Sequence, residues 1–304
     1  MPVKPDVYLF GMTILSTIHR LSGDYPEPDT YQEIAQTHVL PGGETGNAAI
    51  LLARLGLKVR SDGTLLGRET REFLLRFNRG AGVDCSGMRY DPKFEGWKDL
   101  VLSDGRHRTV FGWYQRMFSD KGGKKWTPPD ASALRAARVV SIDPFFQKES
   151  EQAALLCAQI GKKYVTIDCG PDSVCHRHSA VNVVSQEFIH REFKGADNAA
   201  LLRRYVKKSR GMTIFTFGAR DLWYARQEGG IRRFTPFKVD VKGTLGAGDS
   251  FRAGILYGLF RGWEDSKTIR FGAALAACVC RCFPVALHPP SLGEVVKLMK
   301  TRKA

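Results

Sequence analysis

Acidic residues are in short supply in this chain, and long apolar runs are missing. Against 46 lysines and arginines stand 31 aspartates and glutamates, a formal net charge of +15. No stretch reaches the ~20 apolar residues that a membrane-spanning helix needs, so no membrane partner is expected. The first residues, Met1 to Asp6, lead into a short strand-like run, Val7 to Phe10. They lack the basic start, long apolar run and small-residue cleavage site of a secretory signal, which points to a cytoplasmic protein. The seven cysteines cannot all pair with one another, and most sit in apolar runs, which suits reduced thiols better than a disulfide framework. Cys278, Cys280 and Cys282 lack the spacing of a zinc site, and on a helix i and i+2 face different sides, so they too read as buried thiols. Internal repeats, low-complexity segments and an independent second domain are also missing, so residues 1–304 are expected to form one domain.

The basic excess is spread along the chain but clusters at Arg106-His107-Arg108, at Lys121 with Lys124-Lys125, and at Arg203, Arg204, Lys207, Lys208 and Arg210. The last cluster lies on an expected helix whose apolar face is Ala199, Leu201, Leu202, Tyr205 and Val206. A solvated helix face explains it. The sharper reading is a field that attracts anionic substrates such as a nucleotide or a sugar phosphate. No nucleic-acid reader motif accompanies the charge, so nucleic acid is not an expected partner.

What the chain does have is alternation. Short β-branched runs (Val139–Asp143, Tyr164–Asp168, Val181–Val184, Met212–Phe217) are separated by helix-like stretches at Glu151–Ile160 and 196–208. That spacing calls for a parallel sheet with helices on both faces, and ligands then bind beyond the carboxyl ends of the strands. Asp143, Asp168, Glu187 and Gly218 fall at that edge. Two segments break the pattern. Residues 20–40 are polar, and residues 96–118 read as a hairpin, Trp97–Leu102 and Arg108–Tyr114, around a turn at Ser103-Asp104-Gly105. Its aromatics Trp97, Phe111, Trp113 and Tyr114 would cover a ligand or form a dimer contact.

The densest chemistry lies at Gly243-Thr244-Leu245-Gly246-Ala247-Gly248-Asp249, just before an apolar helix, Phe251–Phe260. The backbone N–H groups of Gly246, Ala247 and Gly248 can converge on an anion, and the helix N-terminus adds partial positive charge. A carboxylate beside an anion hole needs a reason. Asp249 taking a proton from a hydroxyl while the hole stabilises a phosphoryl group is one. The turn has no Gly-Lys-Ser/Thr ending and lacks the third glycine of a dinucleotide fingerprint. A second motif, Pro41-Gly42-Gly43-Glu44-Thr45-Gly46-Asn47, precedes an apolar helix, Ala48–Leu55. Gly42 and Gly43 would let backbone approach a polyol closely, and the Asn47 amide can donate to and accept from hydroxyls.

Together these motifs resemble the C-terminal Gly-Ala-Gly-Asp and N-terminal Gly-Gly-x-x-x-Asn signatures of the ribokinase-like (PfkB) carbohydrate kinases, in the order and at the spacing of that family. The resemblance covers about Val7 to Leu298. It implies an α/β three-layer sandwich with a mostly parallel sheet and a small β lid drawn from near residues 20–40 and 96–118. It implies phosphotransfer from ATP, with Mg²⁺, to an alcohol group of a small molecule, most simply a sugar, otherwise a nucleoside or other polyol. Asp249 would act as base, and Gly246, Ala247 and Gly248 as the anion hole. Ser16, Gly42, Gly43 and Asn47 would bind the acceptor. Thr244, Gly246, Gly248 and the turn Thr216-Phe217-Gly218 would contact the nucleotide, and Glu187 would reach the metal through water. A homodimer through the lid is compatible with it.

The chain also departs from the family pattern. Ser16 stands where relatives carry an Asp that grips sugar hydroxyls, which weakens the usual two-hydroxyl clamp. Asp221 replaces a glycine after Gly218, and a plain hairpin turn would also explain that segment. Gly243 replaces an Asp tied to a monovalent-cation site in some relatives, and Arg252 sits one turn into the late helix, facing either a phosphate or a carboxylate. These changes keep a second reading open, a catalytically idle family member that binds a ligand and regulates. A basic nucleic-acid-binding protein is the third.

Overall fold

The computed structural model describes residues 4–119 and 123–301; the expected cluster member Lys121 lies outside the described residues. The chain builds a nine-stranded sheet in the order Arg232–Phe234, Leu222–Ala225, Met212–Thr216, Val181–Ser185, Tyr164–Ile167, Val139–Ile142, Val7–Gly11, Val59–Gly63, Val83–Asp84. From Met212–Thr216 onward the pairs are parallel, and the two strands at the other end are antiparallel.

The strand Val7–Gly11 shows why both faces must be covered. All five residues are buried, and successive side chains leave a strand on opposite faces. Val7 and Leu9 enter one core with Leu51, Phe251, Ile255 and Leu275. Tyr8 and Phe10 enter the other with Phe146, Ala153, Ala154 and Cys157. Helices therefore lie on each side, and the result is a three-layer α/β sandwich. On the first side the helices Ala247–Phe260 and Asp265–Cys280 pack backbone to backbone. A Cβ on Gly254 would stand 2.5 Å from the Gly272 Cα, so position 254 is confined to glycine.

A second sheet of four strands runs Ile34–Gly42, Ile14–Leu21, Lys98–Ser103, Arg108–Gly112. Its middle pair is parallel and the outer pairs are antiparallel. The hairpin expected near 96–118 is present. The earlier segment begins at Ile14, well before residue 20, because Ile14, Ser16 and Ile18 are buried by alternation within an otherwise polar run. Tyr114 ends the expected strand early and opens a short helix, Tyr114–Phe118. Trp97 is not an exposed aromatic. It is 1% exposed, and its indole N–H donates to the Lys125 carbonyl at 2.9 Å. Phe111 and Trp113 do stay half exposed. Among the described residues no helix is long and apolar enough to cross a membrane.

Candidate active site

Between the second sheet and the carboxyl ends of the main strands lies a cavity of about 550 Å³. Its floor includes Met12, Asp168 and Ser185, each at or just past a parallel strand's end. Its roof is the inner face of the second sheet.

The helix Ala247–Phe260 opens at this cavity. Gly246 precedes it with φ +77°, a left-handed conformation that favours glycine, and the Gly246 carbonyl accepts from the Ser250 amide at 2.9 Å. Among the described residues, the N–H groups of Gly246, Gly248 and Asp249 meet no acceptor. A Cβ at Gly248 would meet nothing within 4 Å, so this side of the turn is open. Ala247 departs from the expectation. Its N–H donates to the Thr244 carbonyl at 3.2 Å, closing the turn, and Ala247 does not line the cavity. The free donors are thus Gly246, Gly248 and Asp249.

The Asp249 carboxylate lines the cavity, and its Oδ2 accepts from the Asn47 side chain at 2.7 Å across 202 residues of sequence. Burial pushes the Asp249 carboxyl up, against the pull of the Arg252 guanidinium and the Asn47 amide. Asn47 lies on the helix Glu44–Arg54, which starts one turn earlier than its apolar run suggests because Gly43, at φ +81°, caps it without a side-chain signal. The two glycines before it give room to the protein itself. A Cβ on Gly42 would meet the Ser16 hydroxyl at 2.0 Å, and one on Gly43 the Met12 carbonyl at 2.6 Å.

Beneath this layer is a buried ion pair. Arg252 Nη1 donates to Asp143 Oδ1, and both side chains are fully buried. Asp143 Oδ2 accepts from the Met12 amide at 2.9 Å and the Thr45 hydroxyl at 2.8 Å. Arg252 therefore faces a carboxylate, and Asp143 ties the end of the first strand to the Asn47 helix. Glu44 sits above the pair with its Oε2 buried and unpartnered. Burial, then the charges of Asp143 and Asp249, push its carboxyl up to about 8.

Ser16, Gly42, Gly43, Thr244 and Glu187 all line the same cavity. Glu187 is mostly exposed, and its Oε1 accepts from Arg108 Nη2 at 3.0 Å, a contact from the main body to the roof. Asp168 accepts from the Ser185 amide at 2.7 Å and the Ser185 hydroxyl at 3.0 Å. Among the described residues no group of three or more His, Cys, Asp or Glu could hold a metal ion. Thr216 and Gly218 are not in the cavity wall. Thr216 pairs with Ser185 at the next strand's end, and Gly218, exposed at φ +63°, lies in the hairpin turn to Leu222–Ala225.

Sequence reasoning passed over Asp99 as a member of the site, and named Tyr114 only among aromatics that would cover a ligand and Arg108 only within a basic cluster. Asp99 and Tyr114 are joined by a hydrogen bond of 3.0 Å, and all three line the cavity. The period-two alternation of Asp99 with Val101 was the available signal.

A family model described as pfkB family carbohydrate kinase matches residues 5–290. The chain is 26% identical over 288 residues to a 5-dehydro-2-deoxygluconokinase of Shouchella clausii, covering 85% of this chain and 86% of that protein. It is 27% identical over 307 residues to a nucleoside kinase of Methanothermobacter thermautotrophicus, covering 96% and 94%. The ribokinase of Arabidopsis thaliana, solved with ribose and ATP, superimposes with a TM-score of 0.79 at 16% identity, over 98% of this chain and 99% of that one, and so shares its fold. The two glycine motifs, their meeting at Asn47 and Asp249, and the match across nearly the whole chain agree: this chain belongs to the pfkB family of carbohydrate kinases.

Proposed function

We propose that this chain transfers the terminal phosphoryl group of ATP to a hydroxyl of a small polyol, most simply a sugar, at the cavity between the two sheets. The observation that carries the reading is the Asp249 carboxylate, fixed by Asn47 at 2.7 Å beside three backbone N–H groups that meet no acceptor among the described residues. Such donors at a helix N-terminus fit a phosphate, and the open side of Gly248 leaves it room. ATP, when bound, supplies the phosphoryl group, and Mg²⁺ would offset its charge. Mg²⁺ commonly keeps several waters and binds through one or two carboxylates plus phosphate, which suits a wall that offers Glu187 and Asp168 without a closed metal cage.

The residues divide the work as follows. Asp249 accepts the proton of the acceptor hydroxyl, and burial makes its carboxylate a stronger base than a surface aspartate. The Gly246, Gly248 and Asp249 N–H groups take up the negative charge that spreads over the transferred phosphoryl oxygens. Asn47 holds the carboxylate in line, and Asp143 holds the Asn47 helix through Thr45. The second sheet acts as a lid that keeps water from the reacting atoms, with Arg108 and Glu187 as its latch. Thr216 and Gly218 would touch the nucleotide only from the neighbouring strand end, so Thr244 and the Gly246–Gly248 turn carry most of that contact. The intact hole and base argue against an idle member of the family.

The test is ADP release from Mg²⁺-ATP with a panel of sugars and nucleosides. At least one acceptor gives turnover. Asp249→Asn lowers kcat by about 10²–10⁴-fold, the usual worth of a general base, while ATP affinity stays near that of the wild type. An Asp249→Asn variant with full activity would remove the base assignment.

A further inference from the structure

The roof of the cavity carries a carboxylate that the family motifs do not account for. Ile14, Ser16 and Ile18 from one strand, and Asp99 and Val101 from its parallel neighbour, face the cavity. Ser16 and Asp99 are register partners, so their side chains stand next to each other. Asp99 is 7% exposed. Its Oδ2 accepts from the Tyr114 hydroxyl at 3.0 Å, and its Oδ1 is buried and meets no hydrogen-bond donor at bonding distance among the described residues. A buried carboxylate oxygen without a donor is costly, so its presence in a cavity wall points to a donor brought by a ligand. Burial pushes the Asp99 carboxyl up, while the Ser16 and Tyr114 hydroxyls draw it down.

The charges around it limit that ligand. The other carboxyl groups lining the cavity are Glu44, which also has a buried unpartnered oxygen, Asp168, Glu187 and Asp249. The guanidinium groups at the rim, Arg108 and Arg191, already hold carboxylates of their own, Glu187 and Glu192. Much of the remaining surface is apolar. Such a pocket welcomes hydroxyl donors on a carbon frame and repels a carboxylate.

We infer that Asp99 grips the acceptor's hydroxyls, supplying from the adjacent strand the carboxylate that position 16 lacks, and that the acceptor is an uncharged polyol and not a sugar acid. This rests on the phosphotransfer reading and narrows its substrate class. Sugars and nucleosides both present the required hydroxyls.

The experiment uses the full chain as wild type, Asp99→Asn and the exchange Ser16→Asp/Asp99→Ser. Ribose, fructose, adenosine and gluconate are each assayed with Mg²⁺-ATP for ADP release, and each is tested for its shift of the melting temperature. Turnover is expected with a neutral acceptor, ribose or fructose marking a sugar and adenosine a nucleoside. Asp99→Asn should raise the acceptor KM by about 10–100-fold, the worth of a charged hydrogen bond, with kcat and the ATP KM close to wild type. The exchange variant should recover most of that loss, which a purely structural role for Asp99 would not allow. Should Asp99→Asn fail to fold, Ser16→Asp alone decides: crowding two carboxylates must weaken the acceptor without weakening ATP. An unchanged acceptor KM in these variants, or a preference for gluconate over every neutral acceptor, overturns the inference. If no acceptor is phosphorylated but a neutral polyol raises the melting temperature of the wild type and not of Asp99→Asn, phosphotransfer fails and the Asp99 site stands. If no polyol is turned over or shifts the melting temperature, the site fails.

Discussion

Replacing Arg252 by methionine tests how far the fold and the base are tied together. The Arg252 and Asp143 side chains are fully buried and paired, and Asp143 also accepts from the Met12 amide and the Thr45 hydroxyl. Arg252→Met leaves a buried carboxylate with two neutral donors and no counter-charge. Removing one partner of a buried pair costs roughly 3–5 kcal/mol, because the other charge stays behind uncompensated. At ~2–4 °C per kcal/mol, the rule for domains of 150–250 residues, the melting temperature should fall by roughly 10 °C. Arg252→Met/Asp143→Asn removes the orphaned charge while keeping an oxygen for Met12 and Thr45. The double variant should therefore melt above the Arg252→Met single, a coupling of about 1–3 kcal/mol. The second readout is catalytic. Arg252 draws the Asp249 carboxyl down against burial. Without it Asp249 gives up its proton at higher pH, so the acidic limb of kcat/KM moves upward in pH. A loss under about 1 kcal/mol, or strictly additive single variants, would refute the claim that the pair is a charge couple. An unmoved acidic limb would refute its link to the base.

Two further outcomes follow from the same arrangement. The Glu44 carboxyl is pushed up from 4.5 to about 8, so the stability it contributes is whole below pH ~4.5 and is lost as pH rises through about 8. Glu44→Gln carries no such proton and should be more stable at pH 7 by up to about 3 kcal/mol, converging with the wild type near pH 4; parallel curves of melting temperature against pH would show that Glu44 is not held protonated. The outward face of the second sheet exposes Val39, Phe111 and Trp113. If that face joins two copies of the chain, sedimentation velocity should show a dimer that Phe111→Ser/Trp113→Ser converts to monomer, and a wild-type monomer at all concentrations would end the idea.

The glycine motifs were legible because backbone geometry leaves few substitutes. Gly246 at φ +77° and Gly43 at φ +81° sit where an L side chain is strained, and Gly42 abuts the Ser16 hydroxyl. The parallel sheet was legible because Val139–Ile142 and Tyr164–Ile167 are buried on both faces, so their apolar runs are continuous. The Ala247 contact was not, since which amide closes a turn is fixed by its dihedral angles and not by residue type. Asp99 escaped notice for a different reason. Its meaning depends on lying opposite Ser16, a register set between strands some eighty residues apart. Trp97 was read as exposed because its neighbours are polar, yet the aromatic cluster with Phe118 and Phe146 claims it. The Thr216–Gly218 turn matched by pattern, but its hairpin stands outside the cavity wall.

Charge balance links these observations. Asp143, Asp249 and Glu44 each act on the Arg252 guanidinium, and Asp143 alone is hydrogen-bonded to it. One cation cannot neutralise three carboxylates in a poorly hydrated layer, so some of them must hold protons or be exposed to a ligand. Asp143 takes the direct contact and accepts from two other donors, the Met12 amide and the Thr45 hydroxyl. Glu44 keeps its proton to about pH 8. Burial raises the Asp249 carboxyl, against the pull of the Arg252 guanidinium and the Asn47 amide. Of the three, Asp249 lines the cavity beside the unpaired amides of its own turn, so under the proposed phosphotransfer it is the carboxylate placed to exchange a proton with a ligand. Under the proposed function, the departure from the family pattern at position 252 would therefore act through the proton affinity of Asp249 and not through a phosphate contact, since the guanidinium is fully buried against Asp143.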